Sequence, residues 1–338
     1  MEVVAGLSLK NWRPRVWDRR SPEFVPRLGA VMVSFDEFSR RPKLRREAMG
    51  GGIGAVLGPG AAEGLRVYLD NGAFACLARG DEPNIDEFRK FAAATRPAWC
   101  PVPADYIPRP TDSRRKQKIL FERTLAVLRE HAAEGYCPVV HAGPWLGGYL
   151  DALRELGLDR QLAVGGLVPH LLHGAGARRL ETIAQLKRIR DEFPGTIHAF
   201  GIGGIVTLHL AAALGCDSVD SSGWRQRAAR GLVMLRGRGE RQAIRLGSWL
   251  GRPLTVDEWG ELARCSCPSC RRNGPEALGR NGVEGFASRG VHNLAILLDE
   301  AALIERHRAL GDSASWSLRR LEGHRMVGLV AAALGEGG

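Results

Sequence analysis

Several absences bound what this chain of 338 residues can be. No apolar run approaches the roughly 18 residues that a membrane-spanning helix needs, so no membrane span is expected. The opening MEVVAGLSLKNW lacks the basic-then-apolar layout of a secretory signal. Cysteine is scarce, odd in number at seven, and unevenly placed, which argues against a secreted disulfide scaffold and for a cytoplasmic protein. No complete Gly-x-Gly-x-x-Gly lies between a strand and a helix pattern, so a dinucleotide site lacks its phosphate loop. Acidic residues fall short of basic ones, 37 against 48, leaving a net charge of +11. That excess suggests a polyanionic partner, nucleic acid first, with a solvated basic surface as the plain alternative. A hydrophobic content of 44% and a charged content of 25% are those of a folded chain and exclude disorder along its whole length. The length fits one large domain or two ordinary ones.

What is present is an alternation of short apolar runs with helical patterns. Strands are predicted at 2–7, 29–35, 66–70, 99–105, 138–142, 162–167, 197–201 and 216–220. Most are near-continuous apolar stretches, as expected of parallel strands buried on both faces. Between them, Phe121, Leu125 and Leu128 share one helical face, and Leu180, Ile183, Leu186 and Ile189 share another, with Pro194 and Gly195 closing that helix. Eight strands alternating with helices predict an α/β chain folded as a (β/α)8 TIM barrel, with an open doubly wound sheet as runner-up. The glycine-rich GGGIGAVLGPG (50–60) reads as a loop, and the basic stretch from Trp224 to Gly247 reads as poorly periodic.

Residues 265–270 read CSCPSC. Cys265, Cys267 and Cys270, on a turn set by Pro268, let three thiolates converge on one ion, and His292, placed at the start of a helix, supplies a fourth ligand. Leu294, Leu297, Leu298 and Ala301 mark the packed face of that helix. A closed Cys3His set predicts a structural zinc; three buried thiols beside a surface His is the alternative. Cys76, Cys100, Cys137 and Cys216 are isolated and read as core residues. The expected division is a barrel over 1–223 and, over 224–338, a zinc-binding helical subdomain packed on it.

In a barrel, active-site residues come from the carboxyl ends of strands. Asp70 ends VYLD, Asp105 ends PVPAD and Asp220 ends DSVD, so all three aspartates are expected in one mouth. Two such carboxylates suffice for glycosyl-type chemistry, although Asp also follows strands because it caps helices and starts turns.

Together these segments resemble the tRNA-guanine transglycosylase superfamily. The cysteine triplet with His292-Asn293 resembles the family's zinc site. VYLDNGAF is similar to its Asp-Ser-Gly-Gly-[Phe/Tyr] segment, LAVGGL to its Ile-Gly-Gly-Leu segment, HAFGIGG to its Leu-Met-Gly-Val-Gly segment, and GCDSVDSSGWRQRAARG to the segment around its nucleophile. The order agrees from about residue 66 to 298. The resemblance implies a zinc-containing barrel that replaces a guanine base in a nucleic acid with a 7-deazaguanine without cutting the backbone. It implies Asp220 as nucleophile, Asp70 as general acid/base, and Asp105 as the group that binds the guanine N1 and amino edge. It further implies backbone amides at Gly165, Gly166 and Leu167 meeting the base carbonyl, Phe74 and Phe200 stacking the base, and His141 at the position of a base-binding Gln. A flipped base held between apolar side chains fits such chemistry. Basic runs at Arg40, Arg41, Lys43, Arg45, Arg46, at Arg114, Arg115, Lys116, Lys118 and at Arg225, Arg227, Arg230, Arg236, Arg238 are candidate phosphate contacts.

The sequence departs from the tRNA enzymes at Asn71-Gly72-Ala73 and across Ser218–Trp224, where a Pro-Thr-Arg turn is missing. The residues after the zinc site also leave no room for a long C-terminal RNA-binding domain. These departures favour the DNA-modifying branch, the DNA 7-deazaguanine transglycosylases of bacteria and their viruses, with 7-cyano-7-deazaguanine (preQ0) or a relative as incoming base. A divergent tRNA enzyme and a non-catalytic nucleic-acid-binding zinc subunit are the alternatives. An unrelated barrel glycosidase fits neither the zinc motif nor the charge. A homodimer through the zinc region is a further implication of the resemblance.

Overall fold

The computed structural model describes residues 1–10, 12–61, 63–172, 176–247 and 251–335. Seven short strands form one curled, wholly parallel sheet. They are β1 (Glu2–Gly6), β2 (Ala30–Ser34), β3 (Arg66–Asp70), β4 (Val139–His141), β5 (Gln161–Gly165), β6 (Thr196–Ala199) and β7 (Ser218–Ser221). Their order across the sheet is β3-β2-β1-β7-β6-β5-β4. Helices and loops link successive strands, the arrangement that parallel neighbours require. Their apolar faces and the outer face of the sheet make the main core, which includes Val3, Val31, Leu69, Phe38, Phe91, Leu128 and Leu162.

The sheet does not close as a ring of regular strands. The expected fourth strand, 99–105, is an extended segment lying between the edges β3 and β4. It makes one parallel bridge to each, Tyr68 with Trp99 and Pro101 with Cys137. Ala98 N donates to Val67 O, Leu69 N to Trp99 O and Val102 N to Cys137 O (each 2.9 Å). Pro101 and Pro103 carry no N–H, so neither can extend a ladder. The architecture is that of a (β/α)8-like half-barrel whose eighth position is filled by irregular chain.

Register decides what faces inward. Val4 pairs with Ala30 and Asp220, Met32 with Tyr68, Ser34 with Asp70, His141 with Gly165, and His198 with Ser218. With side chains alternating at period two, these residues share one face of the sheet. A small apolar cluster of Val4, Ala30, Met32 and Tyr68, with Trp99 and Phe200 against it, fills that face. The polar residues Asp70, His141 and Asp220 stand toward its carboxyl end.

Other expectations change. Gly50–Leu57 is helical, not a loop. It belongs to the helix Pro42–Leu57, broken only at Gly52, whose φ of 79° is open to glycine, and it buries Ile53, Val56 and Leu57. Leu180 lies on the helix Gly176–Glu192 but is exposed, and the buried face is Thr182, Ile183, Leu186 and Ile189. The basic stretch after Ser222 folds into the helix Gly223–Ala229 and a hairpin of β8 (Leu232–Leu235) and β9 (Gly239–Gln242). Beyond it, the 29-residue helix Gly282–Leu310 packs on β1, β8 and the helices Gly223–Ala229 and Ile205–Ala213. His292 is therefore mid-helix, not at a helix start. The ten residues before it contain three glycines that disguise the helix. Gly290 is needed for close packing, because a Cβ there would lie 2.9 Å from Pro14 Cγ. No described helix is long and apolar enough to cross a membrane.

Candidate active site and metal centre

The three aspartates gather at the carboxyl end of the sheet, and each has a different surrounding. Asp105 is buried. Its Oδ1 accepts from Asn71 Nδ2 at 2.9 Å, and its Oδ2 lies 3.1 Å from His141 Nε2. Asn71 also donates to Val102 O (2.9 Å) and accepts from Ala73 N (2.9 Å). His141 is held against Gly165, where a Cβ would come within 2.7 Å of the ring. Asp220 Oδ1 accepts from Gly201 N at 2.7 Å and lies 3.5 Å from His198 Nε2. Asp70 has no histidine. Its Oδ2 accepts from Gly72 N at 3.1 Å.

Burial pushes the Asp70 carboxyl up to about 7, against the pull of the Ser34 hydroxyl; the Asp105 and Asp220 carboxylates add to the rise, and the Gly72 N–H opposes it. Two carboxylates with histidine partners thus flank one without. A carboxyl raised by burial beside other carboxylates is a mark of a functional site.

The sign of this shift is testable. A carboxyl raised in the folded state makes the ionised form costly, a cost absent near pH 4 that grows as pH rises through about 7. Asp70→Asn is therefore expected to melt above the parent at pH 8 and level with it near pH 4. Thermal melts across that range check it, and a variant less stable at pH 8 would contradict the raised value.

Other expected site residues are placed unevenly. Phe74 is 62% exposed on the helix Ala73–Arg79, which leaves the end of β3. Phe200 is partly buried, 5.9 Å from Trp99 and 4.9 Å from His198 between ring centroids. Gly165 ends β5; Gly166 follows with φ 73°, and Leu167 is buried. The sequence reading missed Asn71 as a bridging side chain and His198 as the neighbour of Asp220. Only register, not spacing, could reveal them. A groove of about 690 Å³ between residues 19–27 and the cysteine loop contains none of the three aspartates.

Many of the basic residues are internally paired. Arg40, Arg41 and Arg45 face Asp36, Glu37 and Glu87, while Lys116 and Lys118 face Asp112 and Glu122. Arg227, Arg236 and Arg238 pair with Glu240, Asp299 and Glu261, and Arg225 is buried. Lys43, Arg46, Arg114 and Arg115 are exposed and make no ion pair among the described residues. They lie in the connections that leave the ends of β2 and of the 98–102 segment.

Cys265, Cys267, Cys270 and His292 are all buried, with their ligand atoms within 4.8 Å of one another. The three Sγ atoms lie 3.6, 3.6 and 3.5 Å from His292 Nδ1. A tetrahedral zinc with Zn–S of about 2.3 Å and Zn–N of about 2.0–2.1 Å puts S and N about 3.6 Å apart, so the set fits zinc. His292 Nε2 donates to Met234 O at 2.9 Å, which leaves the Nδ1 lone pair directed at the thiolates. The neighbouring Asn293 accepts from Met234 N (2.8 Å) and donates to Trp224 O and Leu232 O (3.1 Å each). Of the remaining cysteines, Cys137 and Cys216 are core residues and Cys76 and Cys100 are half-buried.

The site thus combines three carboxylates at the carboxyl end of a parallel sheet with a closed Cys3His cluster. No family model matches the chain. Curated relatives do. The chain is 26% identical over 275 residues to a tRNA-guanine(15) transglycosylase of Methanopyrus kandleri, covering 75% of this chain and 53% of the relative. It is 26% identical over 294 residues to the Haloarcula marismortui enzyme of the same name (83% and 55%), and 25% identical over 334 residues to that of Methanocaldococcus jannaschii (91% and 47%). The superfamily that this chain resembles is that of the tRNA-guanine transglycosylases. The chain spans about half the length of the curated relatives it matches. Their names are those of tRNA enzymes, and the expectation of the DNA-modifying branch gains no support from them.

Proposed function

We propose that this chain is a guanine transglycosylase that exchanges a base in a nucleic acid through a covalent aspartyl-glycosyl intermediate. The observation that carries the reading is the unequal environment of the three carboxylates. Asp220 has one oxygen held by the Gly201 N–H and serves as nucleophile toward the sugar anomeric carbon. Asp70, with its carboxyl near 7, gives a proton to the departing guanine and takes one from the incoming base. Asp105, oriented by Asn71 and His141, accepts from the N1 and amino protons of guanine. Gly165, Gly166 and Leu167 present amides to the base carbonyl, and Phe74 and Phe200 stack the base. Lys43, Arg46, Arg114 and Arg115 contact phosphates. Cys265, Cys267, Cys270 and His292 hold a structural zinc; a closed set leaves no position for substrate. Residues 1–223 form the catalytic unit, and residues 224–338 brace it.

tRNA is the substrate class that the relatives' names favour. DNA is a second reading, favoured by Asn71-Gly72-Ala73 and by Ser218–Trp224 where the tRNA enzymes carry other residues. The incoming base is a 7-deazaguanine such as preQ0, and the homodimer remains part of the proposal. The test incubates the protein with preQ0 and, in parallel, bulk tRNA, duplex DNA and single-stranded DNA, with nucleosides read by mass spectrometry. A deazaguanine ribonucleoside supports the tRNA enzyme, and the deoxynucleoside supports the DNA branch. No product on any substrate from zinc-loaded protein would count against the catalytic reading.

A further inference from the structure

We propose that His198 is a positioning residue for Asp220, fixing its Oδ1 so that Oδ2 is the oxygen that attacks the sugar. The inference rests on the transglycosylase reading, with Asp220 as nucleophile. Ser218, His198 and Asp220 form a line on the inner face of adjacent strands. His198 pairs with Ser218 across β6 and β7, and their side chains meet at 2.8 Å through Nδ1 and Oγ. A Ser218 hydroxyl that donates to Nδ1 places the single imidazole proton on Nε2. That nitrogen is buried and makes no hydrogen bond within the described residues, and Asp220 Oδ1 lies 3.5 Å from it. Contacts of this kind are often long in a free enzyme and shorten when substrate is bound.

The ring cannot easily turn away. Trp99 and Phe200 lie 5.0 and 4.9 Å from it between centroids, and Tyr68 lies 6.3 Å away. Oδ1 already accepts from Gly201 N at 2.7 Å. Once Nε2 closes on Oδ1, both donors fall on one carboxylate oxygen and leave the other with its lone pairs unengaged; no described hydrogen bond reaches Oδ2. In the reaction, an Oδ2 lone pair forms the bond to the anomeric carbon. The bond from that carbon to guanine N9 breaks, and its electron pair leaves with the base, which takes the proton of Asp70. On return, the incoming base gives its N9 proton to Asp70 and displaces the ester, whose electron pair goes back to Oδ2. His198 touches neither sugar nor base. Its contribution is the angle at which Oδ2 is presented, and a misplacement of about 1 Å at a reacting atom costs on the order of 100-fold in rate.

The test compares His198→Gln, whose amide nitrogen reaches about as far as Nε2, with His198→Phe, which keeps the ring but has no donor. Single-turnover formation of the covalent protein–nucleic acid adduct is measured with the nucleic acid that the parent modifies. Guanine KM is measured alongside by labelled-guanine exchange. His198→Phe should slow adduct formation by about 100-fold with little change in guanine KM, and His198→Gln should recover most of the rate. Parental adduct rates in His198→Phe, or equal loss in both variants, would overturn the proposal. If His198→Phe does not fold, His198→Asn replaces it. Its amide is too short to reach Oδ1, and parity with His198→Gln would overturn the proposal equally. Adduct formation in an Asp220→Asn control would instead show that the underlying nucleophile assignment is wrong.

Discussion

Asp220→Asn is expected to abolish base exchange, lowering turnover on the order of 10⁴-fold or more, while nucleic-acid binding survives. The substitution is nearly isosteric. The amide oxygen can keep the Gly201 N–H bond, and the amide nitrogen then occupies the position of Oδ2. That nitrogen has no lone pair free to form a glycosyl bond, so the first half-reaction stops before an adduct exists. Two measurements check it: denaturing gels for the covalent adduct, and a salt series for nucleic-acid affinity, whose steep salt dependence should match that of the parent. Exchange at the parental rate would move the nucleophile to another residue.

The second large effect concerns the cysteine cluster. Cys267→Ser is expected to lose bound zinc and to lower the melting temperature by about 10 °C or more. Cys267 has two roles, contributing one thiolate to the set and accepting from Cys270 N at 3.3 Å as the cap of the helix Pro268–Asn273. Without the ion, the buried thiols and His292 lose their common partner. The effect should spread, because His292 and Asn293 together hold both polar backbone groups of Met234, and Asn293 also reaches Trp224 O. Metal analysis and melting curves check it. A variant with full zinc content and parental melting would contradict the zinc assignment. Chelation of the parent should reproduce the loss, with partial rescue on adding zinc.

The parts of the molecule legible from sequence were those set by short-range rules. Asp70, Asp105 and Asp220 follow apolar runs, so their place at the carboxyl end of the sheet could be read directly, although the run before Asp105 is an irregular segment and not a strand. The cysteine spacing fixed the metal loop in the same way. Features that depend on pairing between distant segments were not legible. Asn71 is one residue after a strand, and nothing in its neighbourhood announces that it reaches Val102 and Asp105. His198 becomes the neighbour of Asp220 only through the register of β6 on β7. Glycines misled at two places, because Gly50–Leu57 and the first turns of the helix Gly282–Leu310 hold their helical form by tertiary packing against propensity. Pro101 and Pro103 turned an expected strand into a bridging segment.

That bridging segment has a consequence for tolerance to change. Six joints between neighbouring strands are ladders, whereas the two on either side of 98–102 rest on single bridges and a few backbone bonds. Asn71 Nδ2 supplies a side-chain stitch across one of these seams, to Val102 O, and with the same amino group orients Asp105. The hold on this seam and the orientation of Asp105 therefore share one carboxamide. Position 71 has little freedom to drift: a residue that reorients Asp105 there also unpicks the seam behind it.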